Sequence, residues 1–383
     1  MRVCFALLAG CYSPHQYRNC EIGCTAELLC PNDLVCGGDR MCHAAESLEA
    51  CVDSGIVTDV CWGVDEGPMF RFCLTMPDMS VVSLTGTLDT GTSPLCIAQN
   101  DSCIIAGGII NVGTLKVTGP RPLVLAATSN LFVSGELGAA GHNTDGSNPP
   151  PPNANQCPNA GSGQMGGQTV GAGGGAGGGY GGSAGGSGGP NAAATRQGGV
   201  GSVPVLPLFH GGCQGGSGGN SESLSGRPGN GGGAVYLAAQ GMLTVSGVIN
   251  ASGGGPSKSG SHAGGSGGGS GGVIVLWSPL TISVPGKIFA LGGGGGSGGG
   301  TTQGVTGVAG NDPLGPNMPA APSTTSDSAG IGGAGGSPVT ATTDGGAALG
   351  GNAGGGGGGG AVGVIFSRPL IPDDPAHVGP RSM

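Results

Sequence analysis

Glycine is the feature that most restricts what this chain can fold into, because it supplies 92 of the 383 residues. Only 9% of the residues are charged and 3% are aromatic, so a large conventional core and charge-driven disorder are both disfavoured. Glycine does not recur at every third position along the chain, which excludes a collagen triple helix. The glycine tracts span roughly 161–189, 211–233, 253–272, 292–310 and 330–363.

Three structures are possible for these tracts. A glycine-rich segment can be a flexible linker, it can form tight corners where a solenoid turns, or it can form extended polyproline-II-like helices that lie side by side. Backbones without Cβ atoms can approach each other closely, as at the collagen axis. The tracts contain almost no charge, which favours association over a solvated coil. We therefore expect them to be packed.

Between the tracts, a repeat of about 20 residues carries alternating apolar side chains. Residues 122–141 align without gaps on 234–253, and 273–292 aligns at the same length. Alternation with a period of two predicts strands with one buried face. A five-residue unit, apolar-x-apolar-(Thr, Ser or Pro)-Gly, accompanies the repeat at 82–86, 115–119, 131–135, 243–247 and 282–286.

Each copy reads as two short strands, with a turn near Gln240-Gly241 or Ser278-Pro279 between them. One such pair cannot bury its own apolar face, so several copies must stack. We therefore predict a mainly β fold of stacked short-strand repeats, a right-handed β-helix or similar solenoid, with interspersed glycine-rich tracts. A small disulfide-rich module is expected to precede it.

The predicted boundaries follow from the changes in composition. Residues 1–11 read as an export signal with a lipobox, 12–80 as the disulfide-rich module, and 81–383 as the glycine-rich β-repeat domain. Within that domain, 144–158 is rich in Pro and Asn and reads as an exposed linker or an insertion.

The start of the chain has the features of an export signal, with Arg2 followed by the apolar run 3–9 and then small residues. The sequence Leu8-Ala9-Gly10-Cys11 resembles the lipoprotein box of bacteria, in which the cysteine is lipidated and becomes the first residue of the mature protein. The resemblance implies lipidation of Cys11 and a membrane anchor. We therefore expect an exported protein at the bacterial outer membrane or cell surface, or a secreted one if the lipobox is not used.

Twelve cysteines remain after Cys4 and Cys11 are set aside, and an even number in an exported chain predicts disulfides. A zinc site is disfavoured because the sequence contains no Cys-x-x-Cys pair, and we expect neither a metal nor a cofactor. The pairing is left open by the sequence. The candidates are Cys20, Cys24, Cys30, Cys36, Cys42, Cys51, Cys61, Cys73, Cys96, Cys103, Cys157 and Cys213.

Two further resemblances concern the architecture. The spacing Cys30-Pro31-x4-Cys36-x5-Cys42 resembles short cysteine modules in secreted proteins and lipoproteins of gliding soil bacteria. The stretch from about residue 81 to 366 resembles PGRS-type glycine-rich surface proteins, in which Gly-Gly-x tracts alternate with short strand repeats. That second resemblance implies exposure at the cell surface and a role in adhesion or envelope structure.

The motifs typical of enzymes are weak. Residues 215–219 fit Gly-x-Ser-x-Gly, and 185–190 resemble a protease nucleophile string, yet glycine continues on both sides and composition alone produces such matches. The histidines are isolated in the sequence, and we expect them to be solvated loop residues: His15, His43, His142, His210, His262 and His377. We therefore predict no catalytic residue.

Charge restricts the possible partners. Residues 1–90 carry 12 acidic and 4 basic residues, whereas the remainder carries 9 and 8, so there is no basic stripe to bind nucleic acid. We expect a non-catalytic surface lipoprotein with a structural or adhesive role, whose partners are the membrane and possible surface proteins or glycans. The alternatives are a β-helix carbohydrate-active enzyme, a lyase or hydrolase, and a glycan-binding repeat protein.

Overall fold

The structure is a computed structural model whose described part contains 19 β-strands and no helix. It describes residues 30, 34–36, 42–44, 59–64, 70–75, 77, 79–99, 101–141, 160–167, 169–180, 184–201, 209–324, 327–371 and 377–380. The strands are β1 (Leu34–Cys36), β2 (Cys42–Ala44), β3 (Asp59–Trp62), β4 (Phe72–Thr75), β5 (Val81–Asp89), β6 (Ile97–Gln99), β7 (Ser102–Gly107), β8 (Ile109–Thr118), β9 (Leu123–Ala127), β10 (Leu131–Val133), β11 (Glu136–Gly138), β12 (Ala234–Ala239), β13 (Met242–Val245), β14 (Val248–Asn250), β15 (Val273–Trp277), β16 (Thr281–Ser283), β17 (Lys287–Phe289), β18 (Val364–Arg368) and β19 (Val378–Gly379).

The chain divides into two compact units, Met1–Asp59 and Val60–Met383. In the first, β1 and β2 form an antiparallel pair, and a disulfide joins Cys30 to Cys42. The division lies about 20 residues before the boundary expected at residue 80, because the β3–β4 pair belongs to the second unit.

Parallel strands in two sheets form the framework of the second unit. One sheet has six strands in the order β18-β15-β12-β9-β7-β6, and the other has nine, including β16-β13-β10-β8 and β11-β14-β17-β19. Three successive stretches of chain, β9–β11, β12–β14 and β15–β17, each add one strand to the first sheet and two to the second. The repeats therefore stack as coils, and the mainly β prediction is confirmed.

The strand register confirms the alignment of the repeats. Leu131 of β10 pairs with Leu243 of β13, and Leu243 pairs with Ile282 of β16, which are the matches that the ungapped alignment requires. Each copy has three strands, however, so the expectation of two was wrong. The turn at Gln240-Gly241 separates the first two strands, and a second bend at Gly247 separates β13 from β14.

Glycines form a column at this second bend. A Cβ on Gly135 would overlap backbone atoms of Gly113, one on Gly247 would overlap the carbonyl oxygen of Gly135, and one on Gly286 would overlap that of Gly247. In these three copies the last residue of the five-residue unit is glycine because successive coils are too close there for any side chain. In the copies that end at Gly86 and Gly119, the glycine instead has a positive φ, of 82° and 109°.

The central strands β9, β12 and β15 of the six-stranded sheet are buried on both faces. Their inward side chains join the column of Leu, Ile and Val inside the coils, such as Leu125 and Leu237. The outer face of the sheet packs against an aromatic cluster that the β3–β4 pair contributes, with the Trp62 ring stacked on Phe72 at 5.4 Å between centroids. The Trp62 indole N–H donates to the Ala127 carbonyl oxygen at 2.8 Å.

The glycine tracts are packed against each other through backbone hydrogen bonds. Along 172–178, successive N–H groups donate in rotation to three different segments over 2.8–3.0 Å, with a period of three residues. Three residues per turn is the repeat of a polyproline-II helix. Three neighbouring segments accept hydrogen bonds from 172–178, namely 161–164, 186–189 and 262–268. Three others donate to the carbonyl oxygens of 172–178, namely those around 199, 216–219 and 355–361.

We call this array of hydrogen-bonded segments between 160 and 363 the glycine lattice. Its inner segments are buried along their length, including Ala172, Ala176 and Ala263 at 0% exposure. Buried serines also serve as partners for the backbone, since the Ser270 hydroxyl accepts from the Cys213 N–H at 2.7 Å. The flexible-linker alternative is therefore wrong for the described tracts, and the packed one is right.

Substitution of Gly357 and Gly358 by valine is expected to destabilise the protein strongly. Cβ atoms at these positions would overlap the carbonyl oxygens of Ser266 and Gly186, which cannot yield without separating the segments. Overpacking costs about 1–3 kcal/mol per site, so we expect the free energy of unfolding to fall by about 3 kcal/mol or more. Thermal melts under oxidising conditions measure the effect.

Gly351→Val is the matched control, because Gly351 is exposed and an added Cβ would meet no atom within 4 Å. Its effect should stay below about 0.5 kcal/mol. A double variant that melts at the wild-type temperature would contradict the close packing of the segments.

The double substitution Cys61→Ala/Cys73→Ala should lower the stability of the second unit by about 3 kcal/mol, because the bond closes a loop with a sequence separation of 12. If the β3–β4 pair detached from the outer face of the six-stranded sheet, Trp62 would become exposed. Denaturant titration followed by tryptophan emission therefore measures the loss of stability. Cys96→Ala/Cys103→Ala, with a separation of 7, should cost less, about 2 kcal/mol. Equal midpoints for wild type and the first variant would contradict this role.

Candidate functional site

The direction of each lattice segment determines where its turns lie. The segments that lead into β12, β15 and β18 run parallel to each other, since Gly229 and Gly232 donate to Gly267 and Ser270. The segments between them run the opposite way, so turns lie alternately beside the coils and at the opposite end. With about 3.1 Å per residue in this conformation, 263–272 spans about 28 Å between the two ends.

The turns at the end opposite the coils form the candidate site, which we call the turn face. Loops held on a rigid scaffold are where binding residues are concentrated in proteins. The described part of the turn face comprises 165–167, 169–170, 191–196, 220–225, 257–262, 300–305, 327–328 and 348–352.

Hydrogen bonds join these turns to one another. The Thr301 hydroxyl donates to the Asp327 carboxylate at 2.8 Å, and the Gly304 N–H donates to the Ser261 hydroxyl at 2.8 Å. The His262 Nδ1–H donates to the Asn352 carbonyl oxygen at 3.1 Å. The turns are therefore fixed relative to each other before any ligand arrives.

Backbone strain is concentrated on the same face. Among the described residues, the non-glycine residues with positive φ are Asp101 and four members of the turn face, Ala194, His262, Asp327 and Ser328, with φ from 47° to 61°. Such conformations are costly for side-chain-bearing residues and persist where the surroundings enforce them, which is common at functional sites.

The exposed charges of the turn face balance, with Arg196 and Lys258 against Glu222 and Asp327. The Thr301 hydroxyl, and then the Thr302 backbone N–H, hold the pKa of the exposed Asp327 carboxyl below its usual value of 3.8 by donating to its ionised form. The face can therefore offer hydroxyl, amide and backbone groups to a ligand without a strong field of either sign.

Sequence reasoning did not predict the hydrogen bonds that carboxylates of the lattice accept from backbone N–H groups. Asp312 accepts from the Gly255 N–H at 2.7 Å, and Asp344 accepts from the Ser187 N–H at 2.6 Å, as Asp327 does from Thr302. Each caps a backbone group at the lattice surface. Only the tertiary arrangement reveals this, because the donor and the acceptor are far apart in sequence.

Three of the six histidines are buried, so the expectation of solvated loop residues was wrong for these three. His43, His210 and His262 are buried, with exposures of 1%, 4% and 5%. Burial lowers the pKa of His210, whose ring nitrogen Nδ1 lies 2.5 Å from the Gly211 carbonyl oxygen. His15 and His142 lie outside the described residues.

The enzyme-like strings lie within the glycine lattice. In 215–219, Gly216 and Gly219 donate to the carbonyl oxygens of Ala176 and Gly173, so the segment is extended and lacks the strand–turn–helix context of a nucleophile elbow. In the part of the chain that the structure describes, no three His, Cys, Asp or Glu side chains are grouped so that they could hold a metal ion.

The cysteine predictions divide into two groups. Besides the three bonds already given, Cys36 and Cys213 are also disulfide-bonded. Five of the candidates lie outside the described residues: Cys11, Cys20, Cys24, Cys51 and Cys157. The predicted linker 144–158 and the predicted export signal lie outside them as well.

Within the described ranges, no helix is long and apolar enough to cross a membrane.

Asp327→Asn should loosen the contact with 301–302 in a pH-dependent way. Because the folded state lowers the carboxyl pKa, the ionised group stabilises the contact above pH 3.8, and this contribution is lost as the pH falls through the lowered value. At pH 7 the Thr302 amide should therefore exchange its hydrogen faster in the variant, and the difference should vanish at low pH. The Gly255 amide, capped by Asp312, is the internal control, and a difference independent of pH would contradict the assignment.

The comparisons with known proteins assign no relative. No family model, curated protein or solved structure matches the chain. A function for this chain has to be inferred from the geometry of the lattice and its turn face.

Proposed function

We propose that the protein is a non-catalytic, exported surface protein whose glycine lattice presents the turn face for adhesion or for contacts within the envelope. The observation that carries the proposal is the collection of interlocked turns at one end of a hydrogen-bonded scaffold. Loops with little freedom to lose bind at a lower entropic cost than flexible ones.

The disulfides support the export part of the proposal. Stable disulfide bonds form in oxidising compartments outside the cytosol, and the described residues include the pairs Cys30–Cys42, Cys61–Cys73 and Cys96–Cys103. They are compatible with an extracellular or exported protein. In this proposal the lipid anchor is at Cys11, and the bacterial outer membrane is the location.

Two further features complete the proposal. Parallel strand connections are right-handed in about 98% of known cases, which supports a right-handed β-helix for the stacked coils. A non-catalytic role is supported by the carboxylates of the lattice, since Asp312, Asp327 and Asp344 are engaged by backbone N–H groups.

Binding of the purified full-length chain to washed cells of the source bacterium tests the role of the turn face. In the turn-face variant, Leu224→Glu/Thr302→Glu/Gln303→Glu, three exposed positions acquire charge, and we expect the affinity to fall at least tenfold. The matched coil variant, Leu280→Glu/Thr281→Glu/Ser283→Glu, changes exposed positions at β16 and should stay within twofold of wild type. Equal losses in the two variants, or no binding by wild type, would contradict the proposal.

The anchor is tested separately by mass spectrometry of protein extracted from the native membrane. A diacylglyceryl group on an N-terminal Cys11 is the expected result. A free thiol at Cys11 with residues 1–10 still attached would refute the anchor and leave the turn-face assignment to be judged by the binding experiment.

A further inference from the structure

Leu349 has an unusual position on the turn face. Its side chain is 86% exposed, the largest value among the exposed large apolar side chains of the described residues. Isolated exposed leucines are common at protein surfaces and by themselves indicate nothing. The surroundings of Leu349 are what distinguish it.

The backbone that carries Leu349 is fixed from several directions. The Leu349 N–H donates to the Ser328 carbonyl oxygen at 2.7 Å, and the Ala348 N–H donates to that of Pro190 at 3.1 Å. Beneath this turn lies a small apolar cluster that belongs to neither of the larger cores, formed by Ala329, Ala348 and Ala353 with Ala192 against them. The exposed Leu349 side chain therefore projects from a backbone that is fixed by hydrogen bonds and packed on this alanine cluster, which we call the base.

The strained residues of the turn face are concentrated around this base. Asp327 and Ser328 directly precede Ala329, and Ala194 belongs to the turn that contributes Ala192, all three with positive φ. Strain of this kind is retained where surrounding contacts enforce it, and it clusters at binding and switch sites. The rigid base and the strain are independent observations that coincide at Leu349.

The chemistry of the surface indicates the kind of partner. A fixed leucine fits an apolar pocket, which a folded protein supplies and which a hydroxyl-covered glycan does not. A lipid bilayer is bound through a broad apolar face. The exposed large apolar side chains of the turn face, Met165, Leu224 and Leu349, instead lie on three separate turns. Arg196 is exposed in the same turn as Ala192 and favours a partner that carries a carboxylate, because guanidinium groups pair with carboxylates at interfaces. The exposed Asp327 carboxylate of the neighbouring turn is already engaged by the Thr301 hydroxyl and the Thr302 N–H.

We infer that Leu349 is the apolar anchor of a protein-binding site on the turn face, and that the partner is a surface protein with an apolar pocket beside an acidic group. This inference rests on the proposed function and deepens it. The Ala329–Ala348–Ala353 base holds the leucine outward, and the exposed Arg196 supplies charge complementarity.

The test measures binding of full-length variants to washed cells of the source bacterium. Leu349→Ser should weaken binding at least tenfold, and Arg196→Glu should weaken it severalfold and abolish part of its salt dependence. Leu370→Ser is the matched control, because Leu370 is 71% exposed and follows β18, away from the turn face. It should bind within twofold of wild type. Circular dichroism and melting temperature confirm that all three variants are folded.

Treatment of the cells distinguishes the kinds of partner. Proteinase K treatment should abolish binding, periodate oxidation of cell-surface glycans should leave it intact, and phosphatidylethanolamine–phosphatidylglycerol vesicles should not bind the chain. Loss after periodate alone, or binding to the vesicles, would overturn the inference in favour of a glycan or a lipid surface. Wild-type affinity in Leu349→Ser, with binding still lost in the Leu224→Glu/Thr302→Glu/Gln303→Glu variant, would also overturn it while leaving the proposed function in place.

Discussion

Backbone hydrogen bonds between glycine segments are the interaction on which the rest of this structure depends. A segment such as 172–178 exchanges hydrogen bonds with six neighbours, and this requires backbones to approach where a Cβ would collide. The lattice interior is therefore polar backbone rather than apolar side chain. Its buried N–H and C=O groups find partners in adjacent segments or in serine hydroxyls such as that of Ser270, which removes the desolvation cost of an unpaired group. This explains how a chain with 3% aromatic residues can still bury a large interior.

The coils determine how the glycine segments of the lattice are aligned with one another, which the glycine-rich sequences alone do not specify. Glycine-rich segments specify pairing weakly, because a slip by one unit changes few side-chain contacts. The connections from β11 to β12, from β14 to β15 and from β17 to β18 all contain lattice segments. The strand ladder continues into them, since Ala139 donates to the Asn250 carbonyl oxygen and Ala251 to that of Phe289. The columns of Leu, Ile and Val inside the coils thus determine where the segments enter the lattice.

The separate roles of the coils and the lattice explain where the turn face lies and how it is built. Successive segments run in opposite directions, so the chain must reverse between them, and alternate reversals lie at the end of the lattice opposite the coils. The Ser328 backbone is held by the neighbouring turn, because its carbonyl oxygen accepts from the Leu349 and Gly350 N–H groups. The Ala194 backbone is held within its own turn, because its N–H donates to the Asn191 carbonyl oxygen. The result is a nearly neutral surface from which Leu224 and Leu349 protrude, and loops held on a rigid scaffold are where binding and catalytic residues are concentrated.

The strands and their stacking could be predicted from the amino-acid sequence alone. The match of Leu131 with Leu243 and Ile282 is visible in the repeat, because apolar alternation and stacking both depend on side chains that the sequence displays. Even cysteine usage likewise indicated the disulfides. The sequence could not specify which glycine segments are neighbours, because the segments are nearly identical and carry no side chain to distinguish a partner. The third strand of each coil, the burial of His210 and His262, the capping carboxylates and the turn face therefore arise only in the folded chain, in which distant segments meet at backbone contact.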